Sequence, residues 1–190
     1  MPLQLKSYDL ANILAQLVSK DLVSGNSTIQ FCLSPGFSGG WEAWLQVEYA
    51  KDVSGKLTAP AQSAREVNYP GSAQRCDLFF QGARGAPYYV ELKVQREPAD
   101  NTALKRYGDD IEKLRAQGTV FTFNGLRIAL VLYIQSAYYR DYYQKAYSIQ
   151  GSRAWMRRSD TGTWVELQGT QIYATETDNH LILMYYSLDS

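Results

Sequence analysis

The stretch RCDLFFQGARGAPYYVELKVQ, residues 75–95, decides how the rest of the chain is read. Arg75 to Phe80 and Tyr88 to Gln95 are rich in aromatic and aliphatic residues, and Gln81 to Pro87 between them are mostly turn and loop formers. Two strands joined by a turn are the reading this pattern favours. Side chains alternate across a strand, so Asp77 is expected to share a face with Arg75 and Phe79, with Cys76, Leu78 and Phe80 on the other. In the second strand Tyr89, Glu91, Lys93 and Gln95 fall on one face, opposite Val90, Leu92 and Val94. If the two strands pair, the polar ladder of Glu91, Lys93 and Gln95 stands beside Asp77.

Upstream, residues 8–23 place Leu10, Ile13, Leu14, Leu17 and Leu22 at helical spacing, with Ser7 or Asp9 as a cap and Gly25 beyond the end. A loop over 34–40 leads to a second helix at 41–51. A loop at 54–64 and a short strand at 65–69, closed by Pro70-Gly71, follow. Downstream, Leu104, Tyr107, Ile111 and Leu114 form one stripe of a helix over 103–117, with Asp100, Asn101 or Thr102 as N-cap and Gly118 as its C-terminal stop. Arg127 to Gln135 is a nearly continuous apolar run, as expected of a strand covered on both faces. Strand, helix and strand in that order predict a right-handed crossover on a partly parallel sheet. A tyrosine-rich helix over 137–148 and strands near 164–167, 171–175 and 181–186 complete the expectation. The fold class is α/β: a central mixed sheet flanked by helices, in the order αβββαβ, with extra C-terminal strands. Residues 1–190 are expected to form one domain, its core at about 40–135.

Lys plus Arg equals Asp plus Glu at 19 each, so the chain carries no global positive field, and any nucleic-acid binding must come from a local patch. The longest apolar run, Ile128 to Ile134, is too short to cross a bilayer, and the N-terminus lacks a signal peptide's basic-then-apolar order. Two cysteines, Cys32 and Cys76, make no disulfide framework, and a reducing, cytoplasmic setting is expected. With one histidine, His180, and no Cys-x-x-Cys, a zinc site of His and Cys alone is excluded, as is a His-based triad that omits His180. Carboxylates must carry any chemistry.

Asp77 and Glu91, brought within a few ångströms by pairing, would offer the oxygen ligands that Mg²⁺ prefers, with Mn²⁺ as a substitute; the Leu92 carbonyl and waters would complete the shell. Such an ion lowers the pKa of a bound water and neutralises charge on a scissile phosphate, and Lys93 could orient that water or stabilise the phosphate oxygens. The competing reading is a surface ion pair of Glu91 and Lys93 on a half-exposed strand. Two expectations weigh against it: the adjoining strand is covered on both faces, and Asp77 occupies the matching face of its own strand.

The order helix, strand, strand with Asp, strand with Glu-x-Lys, helix, strand resembles the core of the PD-(D/E)XK, or restriction-endonuclease-like, nuclease superfamily over about residues 40–135. The resemblance implies a Mg²⁺-dependent endodeoxyribonuclease. It implies Asp77 and Glu91 as metal ligands, Lys93 as the catalytic lysine and Gln95 as the polar residue often found two places later. A glutamate on the preceding helix often assists the metal in this superfamily. Glu42 and Glu48 both qualify, and Glu42, on one face with Gln46, is favoured. Cys76 stands where the family's name has Pro. A basic residue from the helix after the Glu-x-Lys strand often reaches the phosphate, which nominates Lys113. Arg157 and Arg158, beside Arg153, form a basic patch that could track a nucleic-acid backbone; a solvated role fits each of them too. His180 is expected to be structural.

DNA is the expected partner and a membrane is not, and the neutral charge favours an enzyme that borrows affinity from a homodimer, a neighbouring domain or a partner protein. The alternatives are a non-catalytic binding or immunity module of the same fold, a secreted bacterial toxin nuclease domain, and an enzyme cleaving RNA by the same chemistry.

Overall fold

A computed structural model describes residues 4–32, 34, 41–83, 85–96, 102–120, 125–134, 152–158, 160–167 and 180–188, the side chains of 117–120 excepted. The elements are α1 (Ser7–Leu22), α2 (Thr28–Cys32), α3 (Trp41–Ser54), β1 (Gln62–Asn68), β2 (Arg75–Gln81), β3 (Tyr88–Val94), α4 (Thr102–Val120), β4 (Leu126–Ile134), β5 (Arg153–Arg157), β6 (Trp164–Leu167) and β7 (Leu181–Leu188). The strands form one seven-stranded mixed sheet in the order β1-β2-β3-β4-β7-β5-β6. Among the described strands only β3 and β4 run parallel, with Glu91 opposite Ala129 and Lys93 opposite Val131. A parallel pair needs a crossover, and α4 supplies it.

β4 explains the layering. Its residues Leu126, Ile128, Leu130 and Leu132 enter a cluster with α1 and α3, including Leu10, Leu14, Leu45 and Tyr49. Ala129, Val131 and Tyr133 enter a second cluster with α4, through Leu104, Tyr107, Ile111 and Leu114. The apolar run thus lies between two helical layers, as a strand without hydrophobic alternation requires. In β3 the same division leaves Val90, Leu92 and Val94 on the α1/α3 side, and Tyr89 on the α4 side. Glu91 and Lys93 alternate with the first set, so they lie beneath α4 and not in open solvent. No described helix is long and apolar enough to cross a membrane.

Several expectations are corrected. β1 begins at Gln62, inside the stretch read as a loop, and all its residues but Val67 are exposed. An edge strand held by backbone pairing to β2 has no need of an apolar face, so periodicity does not reveal it. Arg153–Arg157, read only as a basic patch, is a strand, with Ala154 and Trp155 buried. α2 was not expected, and α4 runs past Gly118 to Val120. At the start of α1, Lys6 holds the cap position and donates its N–H to Asp9 at 2.8 Å. The tyrosine-rich helix at 137–148 and the strand at 171–175 lie outside the described residues.

Candidate metal centre

The site is built where β2 and β3 part. Their ladder runs from Phe80 opposite Tyr88 to Leu78 opposite Val90, and Asp77 is the next residue along. Its Oδ2 accepts the Leu92 N–H at 2.8 Å, so a carboxylate takes the role of a strand neighbour for that amide. On its other edge, β2 pairs Leu78 with Arg65 and Cys76 with Val67, while Glu66, between them on β1, has a φ of +55°. The register is the same on both sides of Glu66, so no residue is inserted, yet alternation along β2 fails at this point: Cys76 packs in the α4-side cluster, as does Phe79, while Leu78 and Phe80 face α1 and α3. The grouping of Cys76 with Leu78 and Phe80 is therefore overturned.

α4 closes the site from above. Asp110 follows Tyr107 by three residues and precedes Leu114 by four, which places it along the buried stripe of the helix. One carboxylate oxygen from each of Asp77, Glu91 and Asp110 lies within 4.8 Å of the other two, and this buried acidic triad could hold a metal ion. Lys93 Nζ lies 2.7 Å from Asp77 Oδ2 and 3.4 Å from Asp110 Oδ2. Lys113 Nζ lies 2.6 Å from Glu91 Oε1, and the Tyr69 hydroxyl donates to that same oxygen at 2.6 Å. Glu91 is fully buried, and its Oε2 has no hydrogen-bond partner among the described residues. A buried carboxylate oxygen left this way is costly unless a cation or donor meets it.

The electrostatics follow from three acids and two lysines in a desolvated space. Burial and the neighbouring Glu91 push the Asp110 carboxyl up to about 7. Burial, then Asp77, also raises Glu91 above the ordinary carboxylate range, although Lys113 and Tyr69 pull the other way. For Lys93, burial favours the neutral amine, but Asp110 and Asp77 outweigh it and hold the group above its usual value, as an ammonium. Burial and Glu91 raise the Tyr69 phenol, which stays protonated and donating. Three carboxyls face two ammonium groups, so the acids still repel one another, which with burial is why Glu91 and Asp110 are raised.

Of the residues singled out in the sequence, Asp77, Glu91, Lys93 and Lys113 converge here. Lys113 turns inward onto Glu91 as an ion-pair partner. Leu92 reaches Asp77 through its N–H. Glu42 is outside the triad: its Oε2 accepts the Val94 N–H at 3.3 Å and pairs with Arg106 at 3.3 Å. The third carboxylate is instead Asp110, whose place on the apolar stripe was the available signal. Gln95 is a buried bracket between strands. Its Oε1 accepts the Ile134 N–H at 2.7 Å, and its backbone carbonyl accepts Trp41 Nε1 at 2.8 Å. Arg157 and Arg158 lie at the end of β5, separated from β3 by β4 and β7. Arg158 is paired with Asp160 at 2.6 Å. Tyr69 was missed; its only sequence signal was an aromatic residue directly before Pro70-Gly71.

No family model, curated protein or solved structure matches the chain.

Proposed function

We propose that the chain is a divalent-metal-dependent nuclease that hydrolyses DNA phosphodiester bonds on a restriction-endonuclease-like core. The observation that carries this reading is the buried Asp77–Glu91–Asp110 triad with the Lys93 ammonium against it. All-oxygen donors suit a hard ion such as Mg²⁺, with Mn²⁺ as a substitute. One oxygen of each carboxylate already lies within 4.8 Å of the other two. Glu91 Oε2, buried and without a hydrogen-bond partner among the described residues, would serve as a ligand atom.

When bound, the ion would acidify a water and draw charge from the phosphate. Asp77, Glu91 and Asp110 would hold it. Lys93, kept protonated by its carboxylate neighbours, has donors to give and no lone pair to accept a proton. It therefore acts by holding the attacking water or a non-bridging phosphate oxygen, and does not serve as a general base. Attack by the water forms a new P–O bond as the P–O bond to the leaving strand end breaks; the water's proton passes to solvent, and the leaving oxygen takes one from solvent.

The test is supercoiled plasmid with Mg²⁺ or Mn²⁺, using wild-type protein, Asp77→Ala and Lys93→Ala. Nicking or linearisation by wild type alone supports the nuclease. Equal cleavage by all three would sink the assignment. Inactivity of all three, on RNA as well, would favour a non-catalytic binding or immunity module.

A further inference from the structure

We infer that Tyr69 is a positioning residue of the metal centre: its hydroxyl holds Glu91 Oε1, so that Oε2 is the oxygen Glu91 presents to the ion. The inference rests on the reading above that Asp77, Glu91 and Asp110 bind a divalent cation.

Tyr69 follows the last residue of β1, where the chain turns through Pro70-Gly71. Gly71 has a φ of +70°, a conformation that a side chain would strain. The Ser72 N–H returns to the Tyr69 carbonyl at 3.0 Å, and the Tyr69 N–H donates to the Gln74 carbonyl at 2.9 Å. Both backbone groups are therefore occupied, and the turn fixes the root of the side chain.

The ring is fixed as well. It stacks on Tyr89 with centroids 5.3 Å apart and planes inclined by 24°, and Lys113 Nζ lies 5.6 Å from its centre. The consequence falls on Glu91, a side chain with three rotatable bonds. Oε1 takes the Tyr69 hydroxyl and the Lys113 ammonium, both at 2.6 Å, and Oε2 takes neither. Two donors on one oxygen lock the carboxylate plane and leave the other oxygen as the ligand. Partners of this kind orient ligating groups and are worth roughly 10- to 100-fold in metal affinity.

Mn²⁺ binding to wild type and Tyr69→Phe, followed by calorimetry, tests this, with urea unfolding in EDTA as the control for folding. Tyr69→Phe keeps the ring and removes only the donor. Its expected Mn²⁺ affinity is roughly 10- to 100-fold weaker, with only a modest fall of the unfolding midpoint in EDTA because Lys113 still pairs with Oε1. A purely structural tyrosine would move the midpoint and spare the affinity. Equal affinity in the two proteins overturns the role of Tyr69 and leaves the metal centre standing; no Mn²⁺ binding by wild type overturns both. Should the variant not fold, 3-fluorotyrosine at position 69 reads the same contact through its ¹⁹F resonance. That resonance is expected to shift on saturation with Mg²⁺, and an unmoved signal in the Mg²⁺-bound protein overturns the proposal.

Discussion

Asp110→Asn should make the metal-free protein more stable at pH 8 while destroying its response to metal. Asp110 carries a carboxyl raised from 3.8 to about 7. The folded state therefore holds this proton more tightly than the unfolded chain does, and folding stability falls as pH rises from about 4 to 7. Three pKa units at about 1.4 kcal/mol each set a ceiling of about 4 kcal/mol, fully expressed above pH 7 and absent below pH 4. Asparagine removes the ionisable group in nearly the same shape. Lys93 loses a contact at 3.4 Å but keeps Asp77 at 2.7 Å, so it is not stranded.

Urea unfolding in EDTA, followed by tryptophan fluorescence at pH 5 and pH 8, measures the difference. The variant's advantage should be small at pH 5 and largest at pH 8. Saturating Mn²⁺ should then stabilise wild type, by about 3 kcal/mol at a hundredfold excess over the dissociation constant, and leave the variant nearly unmoved. A variant less stable than wild type at pH 8 in EDTA, or an effect equal at the two pH values, would refute the reasoning.

Lys93→Met should abolish cleavage and, in EDTA, destabilise by about 3 kcal/mol or more, because Asp77 and Asp110 lose their shared cation; thermal unfolding with and without Mn²⁺ should show partial recovery by the ion. Gln95→Ala takes the partner from the part-buried Ile134 N–H, so a loss of about 1 kcal/mol with unchanged Mn²⁺ affinity is expected, and weakened binding would return Gln95 to the site. Glu66→Gly relieves a left-handed backbone position and should stabilise the fold by about 1 kcal/mol in urea unfolding.

The central part of the fold was legible because its signals are local. β4 reads as a doubly covered strand from its composition alone, and it is buried against two helical layers. α4 and β3 announce themselves by period. What stayed hidden has no periodic signature. β1 is an exposed edge strand, stabilised by the backbone of β2. β5 is a short strand, and its two arginines, with Arg158 just beyond its end, read as a solvated patch.

The site divides along the same line. Asp77, Glu91 and Lys93 lie on adjacent strands, so alternation and a single turn suffice to bring them together. Asp110 and Tyr69 join them only through tertiary geometry. The parallel pairing of β3 with β4 forces the intervening α4 to cross over β3, and that crossing puts Asp110 beside Lys93. Glu42 had the same chemical qualification as Asp110, but α3 lies on the opposite face of the sheet, so Glu42 meets the end of β3 at the Val94 N–H and not the triad. The choice between two carboxylates was thus decided by which face each helix covers, a property that no window of the sequence contains. The same geometry crowds three acids into one buried space and pushes the Asp110 carboxyl up to about 7, so the arrangement weakens the fold as pH rises through neutrality unless a cation enters.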